Sequence, residues 1–182
     1  MSRVGSRPIE VPEGVEVTIS DGEVTVKGPK GSLTNRFHPD MAVSTENGSV
    51  KVERPSDEQN HRALHGLTRS LLANMVTGVS DGFAKTIELV GVGYRVQQSG
   101  KGITLSVMFS HTVEIQPRDG ITMEVEGNNV IHVRGIDKQV VGQTAAEIRT
   151  VRPPNVYTGK GIRFRGERVH LKPGKSARRA IV

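Results

Sequence analysis

The sequence predicts an α+β protein made of two tandem repeats, each a small, mostly antiparallel sheet packed on one helix, with a basic C-terminal extension. Three observations lead to this prediction. Short stretches of alternating apolar and polar residues recur between turns, which is typical of strands. Two stretches with helical periodicity interrupt them. The two halves also align at an offset of 81 residues, without a gap from residues 50–79 to 131–160, which indicates a duplicated domain.

The first half opens with an extended basic arm, residues 1–12, in which Gly5, Pro8 and Pro12 argue against a helix. Alternating apolar residues over 15–26 flank Asp21-Gly22 and predict a β-hairpin. A third strand is expected over 33–37. Strands over 42–45 and 50–53 are expected to form a second hairpin at Asn47-Gly48.

A helix is predicted over residues 57–77. Ser56 and Gln59 have the spacing of an N-terminal capping box, and Gly78 is placed to end the helix. The apolar residues expected to share the buried face are Leu64, Leu67, Leu71 and Met75. The segment 80–82 is the predicted joint, so the domains are expected to comprise residues 1–82 and 83–182.

The second half repeats the plan. A strand over 87–96 is expected, in which Gly91 and Gly93 indicate a bulge or a close backbone approach. Strands over 103–109, 113–115, 121–125 and 130–133 should follow. Asp137 is an N-cap candidate for a helix over 138–151, which Pro153-Pro154 should stop. Its inward residues are predicted to be Val141, Ala145 and Ile148.

Composition limits the partners. The absence of Cys excludes disulfides and thiolate metal sites and fits a reducing compartment, and the absence of an apolar run of about 18 residues argues against a membrane span. We therefore expect a soluble cytoplasmic protein. Residues 1–82 carry nine basic and eleven acidic side chains, whereas the final segment 149–182 carries ten basic and one acidic. Such segregation favours a polyanionic partner, most often a nucleic acid.

The stretch 153–163, which reads PPNVYTGKGIR, carries the most specific chemistry. Glycines allow backbone N–H groups to approach a phosphate closely, Lys160 and Arg163 would neutralise phosphates, and Tyr157 could stack on a base. The alternative is a basic surface loop in which Tyr157 merely covers the end of the sheet.

Residues 154–163 resemble the signature of the family of the sixth protein of the large ribosomal subunit, and the blocks 91–95, 109–111 and 137–139 are similar to its internal motifs. Thr158 stands where that family usually has Lys. The resemblance implies two similar α+β domains, no catalysis and no cofactor. It also implies binding to 23S-type rRNA, mainly through residues 83–182, near the stalk base. The expected neighbours there are large-subunit ribosomal proteins and translation GTPases, with the protein located in cytoplasmic ribosomes.

The candidate RNA-binding residues fall into three groups. The signature supplies Tyr157, Gly159, Lys160, Gly161 and Arg163. The basic segment adds Arg149, Arg152, Arg165, Arg168, Lys172, Lys175, Arg178 and Arg179. The blocks that resemble the family's internal motifs add Tyr94, Arg95, Ser110 and His111.

Other functions fit the sequence less well. Gly174-Lys175-Ser176 resembles the end of a P-loop, but Val169 occupies the position that needs Gly. His61 and His65 are spaced to share a helix face, yet that face offers no third metal ligand. An enzyme acting on RNA or nucleotides is therefore disfavoured, and no metal or small-molecule substrate is expected. A free-standing RNA-binding assembly or regulatory factor remains the alternative function.

Overall fold

The alternating residues of the first half form strands where they were predicted. The structure, a computed structural model, describes residues 4–20, 22–46 and 48–175. The strands are β1 (Ile9–Glu10), β2 (Glu16–Ser20), β3 (Glu23–Gly28), β4 (Gly31–Arg36), β5 (Ala42–Glu46) and β6 (Ser49–Glu53). They form two three-stranded antiparallel sheets, in the orders β1-β6-β5 and β2-β3-β4.

Helix α1 spans Gln59–Ser80, and its start corrects the predicted capping box. The N-cap residue is Glu58, which makes no side-chain cap hydrogen bond. The Ser56 hydroxyl instead accepts a 3.3 Å hydrogen bond from the Glu58 backbone N–H and lies 2.7 Å from Nδ1 of His61. Ser56 therefore organises the turn before the helix and not the first helical turn itself.

The buried face of α1 contains most of the predicted residues but not Leu67. Leu67 is 54% exposed, whereas Leu72 is 1% exposed, and the face runs back from Leu72 through Thr68 to His65. His65 is buried because its Nε2 lies 2.8 Å from the Val52 carbonyl oxygen, which satisfies the polar ring. Of the four predicted residues, Met75 is buried and Leu64 and Leu71 are partly buried against the core, so the prediction is wrong only for Leu67.

The end of α1 is also later than predicted. Gly78 is buried inside the helix, which continues to Ser80. The backbone N–H groups of Asp81 and Gly82 both donate to the Thr77 carbonyl, at 2.9 and 3.0 Å. Gly82 has a φ of 76°, the left-handed value that commonly follows a helix C-terminus. Gly82, and not Gly78, is thus the terminating glycine.

The second half contains the strands β7 (Phe83–Val90), β8 (Tyr94–Ser99), β9 (Gly102–Val107), β10 (Val113–Ile115), β11 (Ile121–Glu126), β12 (Val130–Gly135) and, after helix α2 (Lys138–Val151), β13 (Gly161–Phe164). The sheet orders are β10-β9-β8 and β11-β12-β7-β13. The predicted single strand over 87–96 is wrong. Gly91 and Gly93, with φ of 135° and 84°, turn the chain from one sheet into the other.

Helix α2 has the predicted span, and Val141, Ala145 and Ile148 are buried as predicted. It ends at Val151, just before Pro153-Pro154. Strand β13 was not predicted. It pairs antiparallel with β7, and its Ile162 is fully buried.

The described elements confirm the α+β class and the tandem repeat. Each of β1–β6 and α1 has a counterpart in β7–β12 and α2, in the same sheet positions, and β13 is the additional strand. The chain folds as two compact units, here called unit 1 (up to Phe83, with Ile136–Lys138) and unit 2 (Ala84–Gly135 and from Gln139 onward). The role of the basic extension and the functional domain limits stay predictions. No helix in the described part of the chain is long and apolar enough to span a membrane.

Candidate nucleic-acid interface

The loop after α2 is shaped by Asn155. Its side-chain Oδ1 accepts hydrogen bonds from the backbone N–H groups of Tyr157 and Thr158, at 2.8 and 3.1 Å. Its backbone carbonyl accepts from Gly159 N, and its N–H donates to the Lys160 carbonyl, both at 2.8 Å. These four bonds close residues 155–160 into a defined turn. Asn after a Pro-Pro pair is a turn signal that sequence reasoning could have used.

The turn presents side chains outward. Tyr157 is 60% exposed and Val156 is 42% exposed. Gly159, with φ of 71°, takes the left-handed conformation that closes the turn. Lys160 is exposed and forms no ion pair with any described residue. Tyr157 and Lys160 are therefore free to contact a ligand.

Gly161 has a structural reason to lack a side chain. A Cβ built there would lie 2.6 Å from Pro154 Cα and 2.7 Å from the Pro153 carbonyl oxygen, and its φ is 146°. The close approach that this glycine allows is made to the protein's own backbone. Strand β13 is thereby packed directly under the Pro-Pro segment.

A cleft of about 580 Å³ opens beside this turn. It is lined by Val92, Tyr94 and Met108, together with residues 152–155, Thr158 and Lys160. Of the candidate residues, the structure thus brings together Tyr94, Arg152 and Lys160. Among the described residues that line the cleft there is no carboxylate.

The loop between β9 and β10 extends the same surface. The Arg152 guanidinium lies 4.9 Å from the Phe109 ring centroid, and the Phe109 ring stacks with His111 at a centroid distance of 5.5 Å. Ser110 and His111 are exposed. Met108 gave no binding signal in the sequence because it is an isolated apolar residue, and Phe109 lies in the block 109–111 but was not among the candidate residues.

Three other candidate cations are engaged with carboxylates of unit 2. Arg149 pairs with Glu167 through Nε–Oε2 and Nη2–Oε1 distances of 3.1 and 2.5 Å. The Nε atoms of Arg163 and Arg165 lie 3.8 and 3.6 Å from the Glu88 carboxylate. Glu88 and Glu167 were not considered from sequence, although Glu167 is the single acid among ten basic residues.

The Arg149–Glu167 pair is the strongest of these contacts. The hydrogen bond from Arg149 lowers the pKa of the Glu167 carboxyl below its ordinary value, and the same bond raises the pKa of Arg149. The Phe164 backbone N–H also donates to Glu167 Oε2 at 3.0 Å. Glu167 therefore ties α2 to the end of β13, within the basic segment 149–182.

The remaining candidates lie outside the cleft. Arg95 is exposed on β8, and it points to the opposite face from its neighbour Tyr94 because strand residues alternate. Arg168, Lys172 and Lys175 are exposed. Arg178 and Arg179 lie outside the described residues.

The two histidines considered as a metal pair have structural partners. His65 contacts Val52 and Arg54, and His61 contacts Ser56. Within residues 4–20, 22–46 and 48–175, no three His, Asp or Glu side chains are placed to hold a metal ion.

The fold is a duplicated α+β unit, and its second copy presents a cationic cleft beside a hydrogen-bonded turn. No carboxylate lines this cleft among the described residues. These features define a class of binding protein whose ligand is a polyanion. The match to known proteins is specific. The family model of Ribosomal protein L6 matches residues 11–82 and 90–165, and the chain belongs to this family. Its members are structural components of the ribosome, which confirms the prediction that the chain is not an enzyme.

Individual relatives match along nearly their whole length. The protein named large ribosomal subunit protein uL6 from Geobacillus stearothermophilus is 60% identical over 178 residues, covering 98% of this chain and 100% of the relative. The protein of the same name from Halalkalibacterium halodurans is 56% identical over 178 residues, with the same coverage. That from Roseiflexus sp. is 53% identical over 186 residues, covering 98% and 99%.

Proposed function

We propose that the chain is a structural constituent of the large ribosomal subunit and binds 23S-type rRNA mainly through residues 83–182. The observation that carries this proposal is the 53–60% identity, over nearly the full length of both chains, to proteins named for the large subunit. The proposed place of action is the ribosome in the cytoplasm.

The mechanism is binding without turnover. Unit 2 holds the turn at Tyr157 and Lys160 rigidly, so these side chains set the register on the RNA. The exposed cations Arg168, Lys172 and Lys175 add sequence-independent attraction to phosphates. Lys160 and Arg152 act from the cleft, where no described carboxylate competes with phosphate.

The candidate cations divide by their partners. Arg149, Arg163 and Arg165 already lie against carboxylates, so a phosphate would have to compete with Glu167 or Glu88 for them. We place their main role in holding β13 and the following segment. The exposed cations are the ones that displace counterions from the RNA.

The proposed position is near the stalk base, beside other large-subunit proteins and where translation GTPases bind. Chemical footprinting of the rRNA in large subunits, with and without the protein, tests this position. Protection that maps elsewhere would contradict the position while leaving rRNA binding intact.

Binding itself is tested by fractionation and by salt titration. We expect stoichiometric amounts in salt-washed large subunits, and for the isolated protein a slope of log K against log salt of about −3 to −5, if roughly half of the ten basic residues of 149–182 contact phosphate. A protein found only outside salt-washed subunits would instead be a free-standing RNA-binding factor. A slope near zero would contradict phosphate binding.

A further inference from the structure

The geometry of the cleft in unit 2 points to a site for one unstacked nucleotide of an RNA strand, with Tyr94 against the base and Arg152 and Lys160 at the phosphate. This inference rests on the proposed rRNA binding and adds a specific mode of contact to it. Three independent features of the cleft support it: its size and walls, its charge, and the way in which the backbone is built around it.

The size and walls suit a single base. A volume of about 580 Å³ lies within the range of roughly 300–1,000 Å³ that is usual for small-ligand sites. Tyr94 supplies a flat aromatic ring, and Pro153 and Pro154 supply an apolar wall. Single-stranded RNA is commonly bound by splaying out bases and stacking them on aromatic rings.

The charge of the cleft suits the phosphate. Arg152 is positioned by its contact with the Phe109 ring, 4.9 Å away, and it forms no ion pair with a described residue. Lys160 is likewise unpaired within the described chain. Two uncompensated cations beside an apolar wall complement a nucleotide, which is anionic at one end and flat at the other.

The backbone is built to bring these groups together. A Cβ at Gly91 would lie 2.8 Å from the Tyr94 ring and 3.2 Å from Lys160 Cβ, so the absence of a side chain here lets the ring and the lysine lie close together. Met108 has a φ of 60°, and its Sδ would lie 2.9 Å from a Cβ at Gly93. A non-glycine residue held at positive φ costs free energy and is often found at functional sites.

Tyrosine fluorescence gives a direct test in the full chain. The sequence has two Tyr and no Trp, so the variant Tyr157→Phe leaves Tyr94 as the single emitter. The probes are an octauridylate and an oligomer of the same ribose-phosphate backbone without bases. We expect the octauridylate to quench Tyr94 emission at saturation and the base-free oligomer to leave it unchanged. Equal effects of the two probes, or no quenching by either, would overturn the nucleotide site.

Substitution at the ring gives a second readout. Tyr94→Leu should weaken octauridylate binding by roughly fivefold or more, whereas Tyr94→Phe, which keeps the ring, should stay within about twofold. If Tyr94→Leu does not fold, as judged by its thermal melt, Lys160→Gln serves instead and should lower the salt slope by about one. An unchanged affinity in the folded variant used would refute the site.

Failure of this inference can be told apart from failure of the proposed function. The wild-type chain is titrated with 23S rRNA in parallel. If it binds the rRNA while Tyr94 emission does not respond to octauridylate, only the nucleotide site is overturned. If it fails to bind the rRNA, the proposed function is overturned as well.

Discussion

The two helices of the repeat end differently, and the functions that we propose for the two units depend on this difference. At the offset of 81 residues, Leu72 and Ala73 of α1 correspond to Pro153 and Pro154. Helix α1 continues past this point to Ser80, whereas α2 has already ended at Val151. Proline lacks the backbone N–H and clashes with the preceding turn, so a Pro-Pro pair cannot occupy the helix interior.

The residues that follow take opposite environments. In unit 1, Met75, Val76 and Val79 are helical and buried. Their counterparts in unit 2 lie in the turn 156–160, where Tyr157 is 60% exposed. The same position in the repeat thus completes a core in one copy and forms an exposed turn, the proposed binding surface, in the other. Strand β13, which unit 1 lacks, then returns the chain to the sheet beside β7.

The largest expected effect on stability comes from placing a proline in α1 at the position where the Pro-Pro pair follows α2. Leu72→Pro should destabilise the protein by about 5 kcal/mol or more, because it breaks the helix and empties a fully buried site. Leu72→Ala is the control for the lost packing alone, at about 2–5 kcal/mol. Denaturant unfolding measures both. Equal losses would mean that the helix break itself costs nothing there.

The next effect tests the packing of β13 under the Pro-Pro segment. Gly161→Ala should cost about 3 kcal/mol, because the added methyl meets Pro153 and Pro154 and the φ of 146° disfavours alanine. Gly166→Ala is the matched control, with φ of 81° and open space, and should cost only about 1–2 kcal/mol. Unfolding titrations measure both variants. A Gly161→Ala variant as stable as the Gly166→Ala control would contradict the close approach of β13 to the Pro-Pro segment.

A smaller effect is expected at the carboxylate that ties α2 to β13. Because Arg149 lowers the folded-state pKa of Glu167, the ion pair stabilises the protein above the ordinary Glu pKa of 4.5. That stability is lost as the pH falls below 4.5 through the folded-state pKa. Glu167→Gln should therefore cost about 1 kcal/mol at pH 7. The difference between variant and wild type should shrink in acid, and a pH-independent difference would rule out the charge as its cause.

The smallest effect tests the exposure of Leu67 on α1. Leu67→Ser should change the unfolding free energy by less than about 0.5 kcal/mol, because this side chain is 54% exposed. Its thermal melt should overlay that of the wild type. A loss comparable with Leu72→Ala would restore the leucine face that the sequence pattern indicated.

Much of the fold followed from local patterns, and its errors have physical causes. The hairpins were predictable because glycine allows the backbone conformations of tight turns. The span of α2 was predictable because the Pro-Pro pair cannot continue a helix. The burial of His65 on α1 was not, since it depends on a hydrogen bond to Val52, a residue of another element. Strand β13 was also missed, because its four residues become a strand only by pairing with β7.

The candidate site was predictable as charge but not as geometry. The charge pattern of the sequence indicated Arg152 and Lys160 as candidates. It could not show that both line one cleft with Tyr94, which is distant in sequence. The sequence also could not show that Arg149 forms an ion pair with Glu167. Ion pairs and clefts depend on tertiary contacts that no local pattern specifies.

The central claim is that unit 2 binds rRNA at the turn after α2 and not through a diffuse basic surface. The most direct test compares 23S rRNA affinity for Lys160→Glu and Lys101→Glu, two exposed lysines of unit 2, of which only Lys160 lies at the cleft. The account predicts a loss of about tenfold or more for Lys160→Glu, from one phosphate contact replaced by repulsion, and less than about threefold for Lys101→Glu. Equal losses for the two variants would contradict it.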